Sequence, residues 1–133
     1  MINIHHNYAQ MEHHFGENVM VHRKGATLAR IDTTGIIPGS MGSSSYIVKG
    51  KNNAESFTSC SHGAGRRMSR SQAKKTIDMG AFRQAMHGIE FQVRPEALDE
   101  APQAYKDIDE VLLQEEDLVT PIVKLRPLGV IKG

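Results

Sequence analysis

A mixed α/β (α+β) fold, sheet-rich with several short helices, is what the sequence predicts, and three observations carry that expectation. Short β-prone runs bounded by Gly, Pro and Ser read as strands, among them Val19–His22, Tyr46-Ile47-Val48 and Val119–Ile131. Two glycine- and serine-rich segments, Gly39–Ser45 and His62–Arg66, interrupt these runs as loops. Ile108, Val111, Leu112 and Leu113 give an apolar face to a helix predicted to begin near Asp107.

Taken in order, Asn7 to Phe15 has the composition of a helix that Gly16 would stop. Val19–His22 alternates as a strand, and Lys24-Gly25 makes a turn. Ala26 to Ile37 holds one or two strands broken at Thr33-Thr34-Gly35, and Pro38-Gly39 closes the run. Tyr46–Val48 leads into a turn over Gly50–Ala54, after which Glu55 to Ser61 is a candidate strand around Phe57. Ser69 is a good N-cap for the helix formers Gln72, Ala73, Lys74 and Lys75. Ala81–Gly88 is a further short helix, and Glu90–Val93 a strand that Pro95 ends.

The 133 residues, 39% hydrophobic and 23% charged, suit one ordinary folded domain, with no internal repeat and no separable second unit. A net charge of +1 argues against wholesale electrostatic binding of nucleic acid, so any basic surface must be local. The single cysteine, Cys60, excludes an internal disulfide and suggests a reducing, cytoplasmic setting. No run approaches the roughly 18 apolar residues of a membrane helix, and no signal peptide is evident at the start. The abrupt, strand-like opening Met1-Ile2-Asn3-Ile4 suggests a chain cut from something longer.

Glycine-rich loops beside strands offer unhindered backbone N–H groups that hold phosphate well, although each also reads as an ordinary tight turn. The second loop adds a histidine, His62, followed by five cations with no intervening acid: Arg66, Arg67, Arg70, Lys74 and Lys75. A neutral imidazole can attack phosphorus to form a phosphoramidate while N–H and guanidinium groups stabilise the phosphoryl charge. A solvated basic helix face with an incidental histidine fits the spacing equally well.

His5, His6, His13 and His14 suggest a metal, since imidazole ligates manganese, zinc or iron. On the helix expected there, His6 and His13 would stand roughly 10 Å apart along the axis, too far to share an ion. Cys60 beside His62 allows a Cys–His nucleophile, but a buried structural thiol is the more ordinary reading. The acids near Asp107–Asp117 read as a solvated helix face or a partner surface.

The segment Ser61-His62-Gly63-Ala64-Gly65-Arg66-Arg67-Met68-Ser69-Arg70 resembles the signature of the RtcB family of GTP-dependent RNA ligases. His6-Asn7-Tyr8, Arg23-Lys24-Gly25-Ala26, Pro38-Gly39-Ser40-Met41-Gly42, Pro102-Gln103-Ala104-Tyr105-Lys106 and Lys132-Gly133 follow the same family's order, so the likeness covers essentially the whole chain. It implies an RtcB-like, sheet-rich C-terminal part of a larger single-domain ligase, with residues 1–133 as that portion and the N-terminal half absent.

The resemblance further implies that His62 attacks the α-phosphate of GTP and carries GMP. The family passes GMP to an RNA 3′-phosphate, or one derived from a 2′,3′-cyclic phosphate, and joins that end to a 5′-hydroxyl in tRNA splicing or RNA repair. It implies manganese as cofactor and His6 as a metal ligand. Ser40, Ser45, Tyr105 and Lys132 would contact the guanine nucleotide, and the backbone of Gly63, Ala64 and Gly65 its phosphates. Arg66 is inferred to meet GMP or RNA phosphate. The family's other metal ligands lie in its N-terminal half, so alternatives are an incomplete nucleotide- or RNA-binding module, or half of a split ligase with a separate N-terminal partner. Arg67, where a small apolar residue is common, and the polar Ser43-Ser44-Ser45 depart from the family's pattern.

Overall fold

The computed structural model describes residues 2–5 and 7–131. Its seven strands form three antiparallel sheets: β1 (Asn7–His14) with β2 (Glu17–Lys24), β3 (Ala26–Leu28) with β6 (Ser59–Ser61), and β4 (Thr34–Pro38), β5 (Ser45–Gly50) and β7 (Val119–Leu125) in the order β4-β5-β7. Three short helices complete it, α1 (Arg70–Thr76), α2 (Met79–Ala85) and α3 (Ile108–Gln114), with 3-10 turns over Pro95–Glu100 and Pro102–Ala104. The mixed α/β expectation holds. Among the described residues no helix is long and apolar enough to cross a membrane.

The helix expected over 7–15 is instead strand β1, paired residue for residue with β2 from Asn7↔Lys24 to His14↔Glu17. Tyr8, Gln10, Glu12 and His14 turn inward on alternate positions, whereas Asn7, Ala9, Met11 and His13 face out. The inward face is polar, so hydrophobic alternation could not reveal it. Phe15 and Gly16 both take positive φ, 52° and 82°, the pattern of a type I′ two-residue turn whose twist matches the flanking strands.

Beneath the hairpin the Glu12 carboxylate lies fully buried against Arg23. Arg23 Nη1 and Nη2 both donate to Glu12, the latter at 3.0 Å, and Glu12 also meets His14 Nε2 at 2.7 Å and Gln10 Nε2 at 2.6 Å. Arg23 continues inward, Nε donating to Ser59 Oγ at 2.9 Å and Nη2 to the Phe57 carbonyl at 2.7 Å. These bonds tie the hairpin to β6 and to the loop before it.

Other boundaries shift for local reasons. The break in 26–37 falls before Thr34, so Thr34 and Gly35 belong to β4. The strand around Phe57 shrinks to Ser59–Ser61 because Phe57 and Thr58 adopt positive φ, which removes them from extended geometry. Glu90–Val93 forms only a single bridge, Glu90↔Gly129. In the final run only β7 is strand, at the edge of its sheet, where Pro121 removes no donor from a central ladder. Ser69 caps α1 as expected, accepting from Gln72 N, and α3 begins where expected, with Asp107 as its cap accepting from Asp109 N. Leu113, expected on the buried face of α3, is 70% exposed, and Ile108 and Leu112 supply that face.

Two apolar clusters result. One gathers Ile37, Tyr46, Val48, Cys60, Ala64, Ile108, Leu112 and Val119 between the three-stranded sheet and α3. The other centres on Phe82, Met86, Leu98 and Ala101, with Met41 packed against it. The second glycine loop thus enters one core through Ala64 and the first enters the other through Met41.

Candidate functional site

The two glycine loops interlock. The first folds on itself: Gly39 N–H donates to the Ser44 carbonyl at 3.1 Å, Ser40 N–H to Ser43 Oγ at 2.6 Å, and Gly42 N–H to Ser40 Oγ at 3.3 Å. A Cβ on Gly39 would lie 2.3 Å from Ser44 O, so only glycine lets the loop close this tightly. At its base Ser45 pairs with Pro38 across β4 and β5, and the Pro38 carbonyl accepts from Ala64 N–H at 2.9 Å. That bond joins the first loop to the second.

On its far side the second loop binds the Tyr105 segment. Arg66 and Tyr105 form an antiparallel bridge, flanked by Lys106 N–H to Gly65 O and Arg67 N–H to Ala104 O, both 3.0 Å. Ser40, Ser45, Ala64, Gly65 and Tyr105 therefore belong to one hydrogen-bonded layer, with Gly63 packed against Pro38, although 65 positions separate its ends. His62, half-buried, stands at the edge of that layer beside a cavity of about 260 Å³ that Gly63, Gly65, Lys106, Gln114 and Glu115 also line. His6 and Lys132 lie outside the described residues.

Several roles read from the sequence change on inspection. Of the three amides expected to face phosphate, that of Ala64 is bound to Pro38, while those of Gly63 and Gly65 have no partner among the described residues. The Arg66 guanidinium turns into the protein: Nε donates to Met68 O at 3.2 Å, Nη1 to Tyr105 Oη at 3.2 Å and Nη2 to Asp99 O. Its carbon lies 4.9 Å from the Tyr105 ring centroid, so Arg66 orients Tyr105. Tyr105 in turn donates to Glu100, and burial first, then that carboxylate, pushes its phenol pKa up. The phenol is neutral near pH 7.

The cationic run after His62 is not an open phosphate field. Asp99 and Glu100, from the 3-10 turn packed on α1, meet Arg70, with Nη1 2.7 Å from Asp99 Oδ2. Lys74 approaches Asp99 at 3.7 Å and Arg66 approaches Glu100 at 3.7 Å. The bond from Arg70 holds the Asp99 carboxyl below its ordinary range, keeping it anionic among these cations. No acid lies between Arg66 and Lys75 in sequence, yet chain folding supplies two.

Cys60 is buried, 3.2 Å from Thr27 Oγ1, and burial pushes its thiol pKa up, which disfavours the thiolate a Cys–His nucleophile would need. Sequence reasoning missed Glu115. Its carboxylate accepts from Ser61 N–H and Ser61 Oγ next to His62, a pairing across 54 positions within a stretch that reads as a solvated acidic face. Asp109 in the same stretch is exposed, as expected of a solvated face, yet it accepts from Tyr46 and Lys124. Among the described residues no group of three or more His, Cys, Asp or Glu side chains converges to hold a metal ion.

Fold and layer together define a mixed α/β chain in which two interlocked glycine loops present a histidine beside a cavity. The family model for tRNA-splicing ligase RtcB matches residues 1–133, and the chain belongs to the RtcB family. It is 53% identical over 132 residues to the RNA-splicing ligase RtcB of Escherichia coli K12, covering 99% of this chain and 32% of that protein. Against the tRNA-splicing ligase RtcB of Methanopyrus kandleri it is 39% identical over 156 positions, covering 96% of this chain and 16% of the relative. The corresponding Mycobacterium tuberculosis ligase is 35% identical, with 100% and 36% covered. The chain spans about a third or less of the length of these relatives.

Proposed function

We propose that this chain is the nucleotide-transfer portion of an RNA ligase that joins an RNA 3′-phosphate, or an end opened from a 2′,3′-cyclic phosphate, to a 5′-hydroxyl in tRNA splicing or RNA repair. The observation that carries the reading is the hydrogen-bonded layer through Ser45, Pro38, Ala64, Gly65 and Lys106, which brings Ser40, Ser45, Gly63, Ala64, Gly65 and Tyr105, residues implied in nucleotide contact, together beside His62. Family membership and the names of the relatives support the same reading.

In the proposed step a neutral His62 ring nitrogen attacks the α-phosphorus of GTP. An N–P bond forms, the bond to the bridging oxygen breaks and pyrophosphate leaves. The Gly63 and Gly65 N–H groups, without a partner among the described residues, would offset charge on the phosphoryl oxygens. An RNA 3′-phosphate oxygen then displaces His62 from phosphorus, and the 5′-hydroxyl finally attacks the activated 3′-phosphate with GMP as leaving group. Tyr105, a neutral phenol fixed by Arg66 and Glu100, would present its ring to the base. Manganese belongs to the proposal as the family's implied cofactor. The described residues do not by themselves form a site for it, so no step is derived through the ion.

The test is incubation with α-labelled GTP and manganese, with and without the N-terminal part of an RtcB ligase added in trans, comparing the native chain with His62→Ala. Label that requires His62 supports the reading, and label that also requires the added part supports a two-part ligase. No label in any combination overturns it in favour of a nucleotide- or RNA-binding module.

A further inference from the structure

The Glu115 carboxylate reaches the backbone beside His62. Ser61 N–H lies 3.1 Å from Oε1 and 3.2 Å from Oε2, and Ser61 Oγ donates to Oε2 at 3.0 Å. Hydrogen bonds to a charged acceptor are roughly twice as strong as neutral ones, and a carboxylate gripping one residue at two donors fixes direction as well as distance.

Both ends of this clasp are anchored. Glu115 directly follows α3, and its own N–H donates to the Val111 and Leu112 carbonyls at 3.2 Å each. Leu112 is buried in the cluster that contains Cys60 and Ala64, the residues on either side of the Ser61–Gly63 segment. Opposite, β6 is held to β3 through the Ala26↔Ser61 pair, but the strand is only three residues long. Beyond it His62 N–H reaches the Gly25 carbonyl at 3.4 Å, a long bond. The chain leaves β6 at the residue whose direction matters most, and the carboxylate grips the position just before it.

We propose that Glu115 is a positioning residue that fixes the Ser61–His62 backbone so that the imidazole presents its nucleophilic nitrogen to the nucleotide in the shared cavity. This rests on the reading of His62 as the nucleophile. It assigns Glu115 no contact with substrate and no proton transfer.

Two measurements test it on the full chain. By hydrogen exchange, Glu115→Ala accelerates exchange of the Ser61 amide by about tenfold or more while the Val48 amide in the core strand keeps its protection. By guanylylation with the added N-terminal part, Glu115→Ala lowers kcat by on the order of 10²-fold with KM for GTP little changed, because a nucleophile displaced by about 1 Å loses that much. Glu115→Gln retains an acceptor for Ser61 and recovers most of the rate, while Ser61→Ala, which removes only the hydroxyl bond, has a smaller effect than Glu115→Ala. Unchanged Ser61 exchange in Glu115→Ala, or a rise in KM with kcat intact, overturns the proposal. Should the native chain take no label, the ligase reading fails separately and exchange alone decides whether the clasp exists.

Discussion

The β1–β2 hairpin and the interlocked glycine loops are secured by different interactions. Under the hairpin the cohesion is ionic and buried, with Glu12, Arg23 and His14 inside and exposed Met11 and Met20 outside. In the loops it is backbone hydrogen bonding, Pro38 to Ala64 and Gly65 to Lys106, with small side chains admitting the close approach. A buried ion pair fails severely when one partner is lost, whereas a backbone layer yields to added bulk. Stability and function should therefore separate between the two regions.

The largest expected effect is in the hairpin. Arg23→Ala strips the buried Glu12 carboxylate of its guanidinium partner, leaving Gln10, His14 and, at 3.9 Å, Arg30 beside it, and should cost about 3–5 kcal/mol in urea unfolding. Replacing both partners with apolar residues, Glu12→Leu with Arg23→Met, should cost less than the single change. A loss under about 1 kcal/mol for Arg23→Ala would remove the contrast with the loops.

Acid titration sharpens the same point. Hydrogen bonding from Arg23, opposed by burial and aided by His14 and Gln10, holds the Glu12 carboxyl down from its ordinary 4.5 to about 2. The folded state binds the proton more weakly than the unfolded chain, so this stabilisation is complete above the unfolded value. It drains away as pH falls from about 5 toward 2, a change on the order of 3 kcal/mol. Unfolding midpoints across that window should decline in the native chain and flatten in Glu12→Gln.

A smaller effect belongs to the loops. Gly39→Ala drives a methyl to 2.3 Å from Ser44 O and 2.4 Å from Ser43 Oγ, and should cost about 1–3 kcal/mol. Nucleotide labelling should fall further than that loss of folded protein explains, whereas labelling of an Arg23 variant should follow its folded fraction. The smallest is Ser69→Ala, which removes the cap accepting from Gln72 N and should cost about 1 kcal/mol by thermal unfolding, with α1 loosened and β5 untouched.

These regions also differ in how far the sequence discloses them. The glycine loops, the Ser69 cap, the helix start near Asp107 and the strand at Tyr46–Val48 follow from local chemistry, because turn glycines and capping oxygens act on neighbours a few residues away. The His62 loop stood out for the same reason. In the hairpin the sequence discloses β2 but not β1, because the inward face of β1 carries Tyr8, Gln10, Glu12 and His14, which show strand alternation only once Arg23 is known to lie beneath them.

What the sequence by itself determined is the mixed α/β class, the two loops with His62 at the mouth of the second, and the motif order that marks the family. Only the tertiary structure decided which groups face one another: Pro38 against Ala64, Asp99 and Glu100 against the cations of α1, Arg66 turned inward onto Tyr105, and Glu115 clasping Ser61. The physical reason is range. Caps and turns are satisfied within a few residues, while a carboxylate or carbonyl takes whichever donor chain packing brings to it, for Glu115 from 54 positions away.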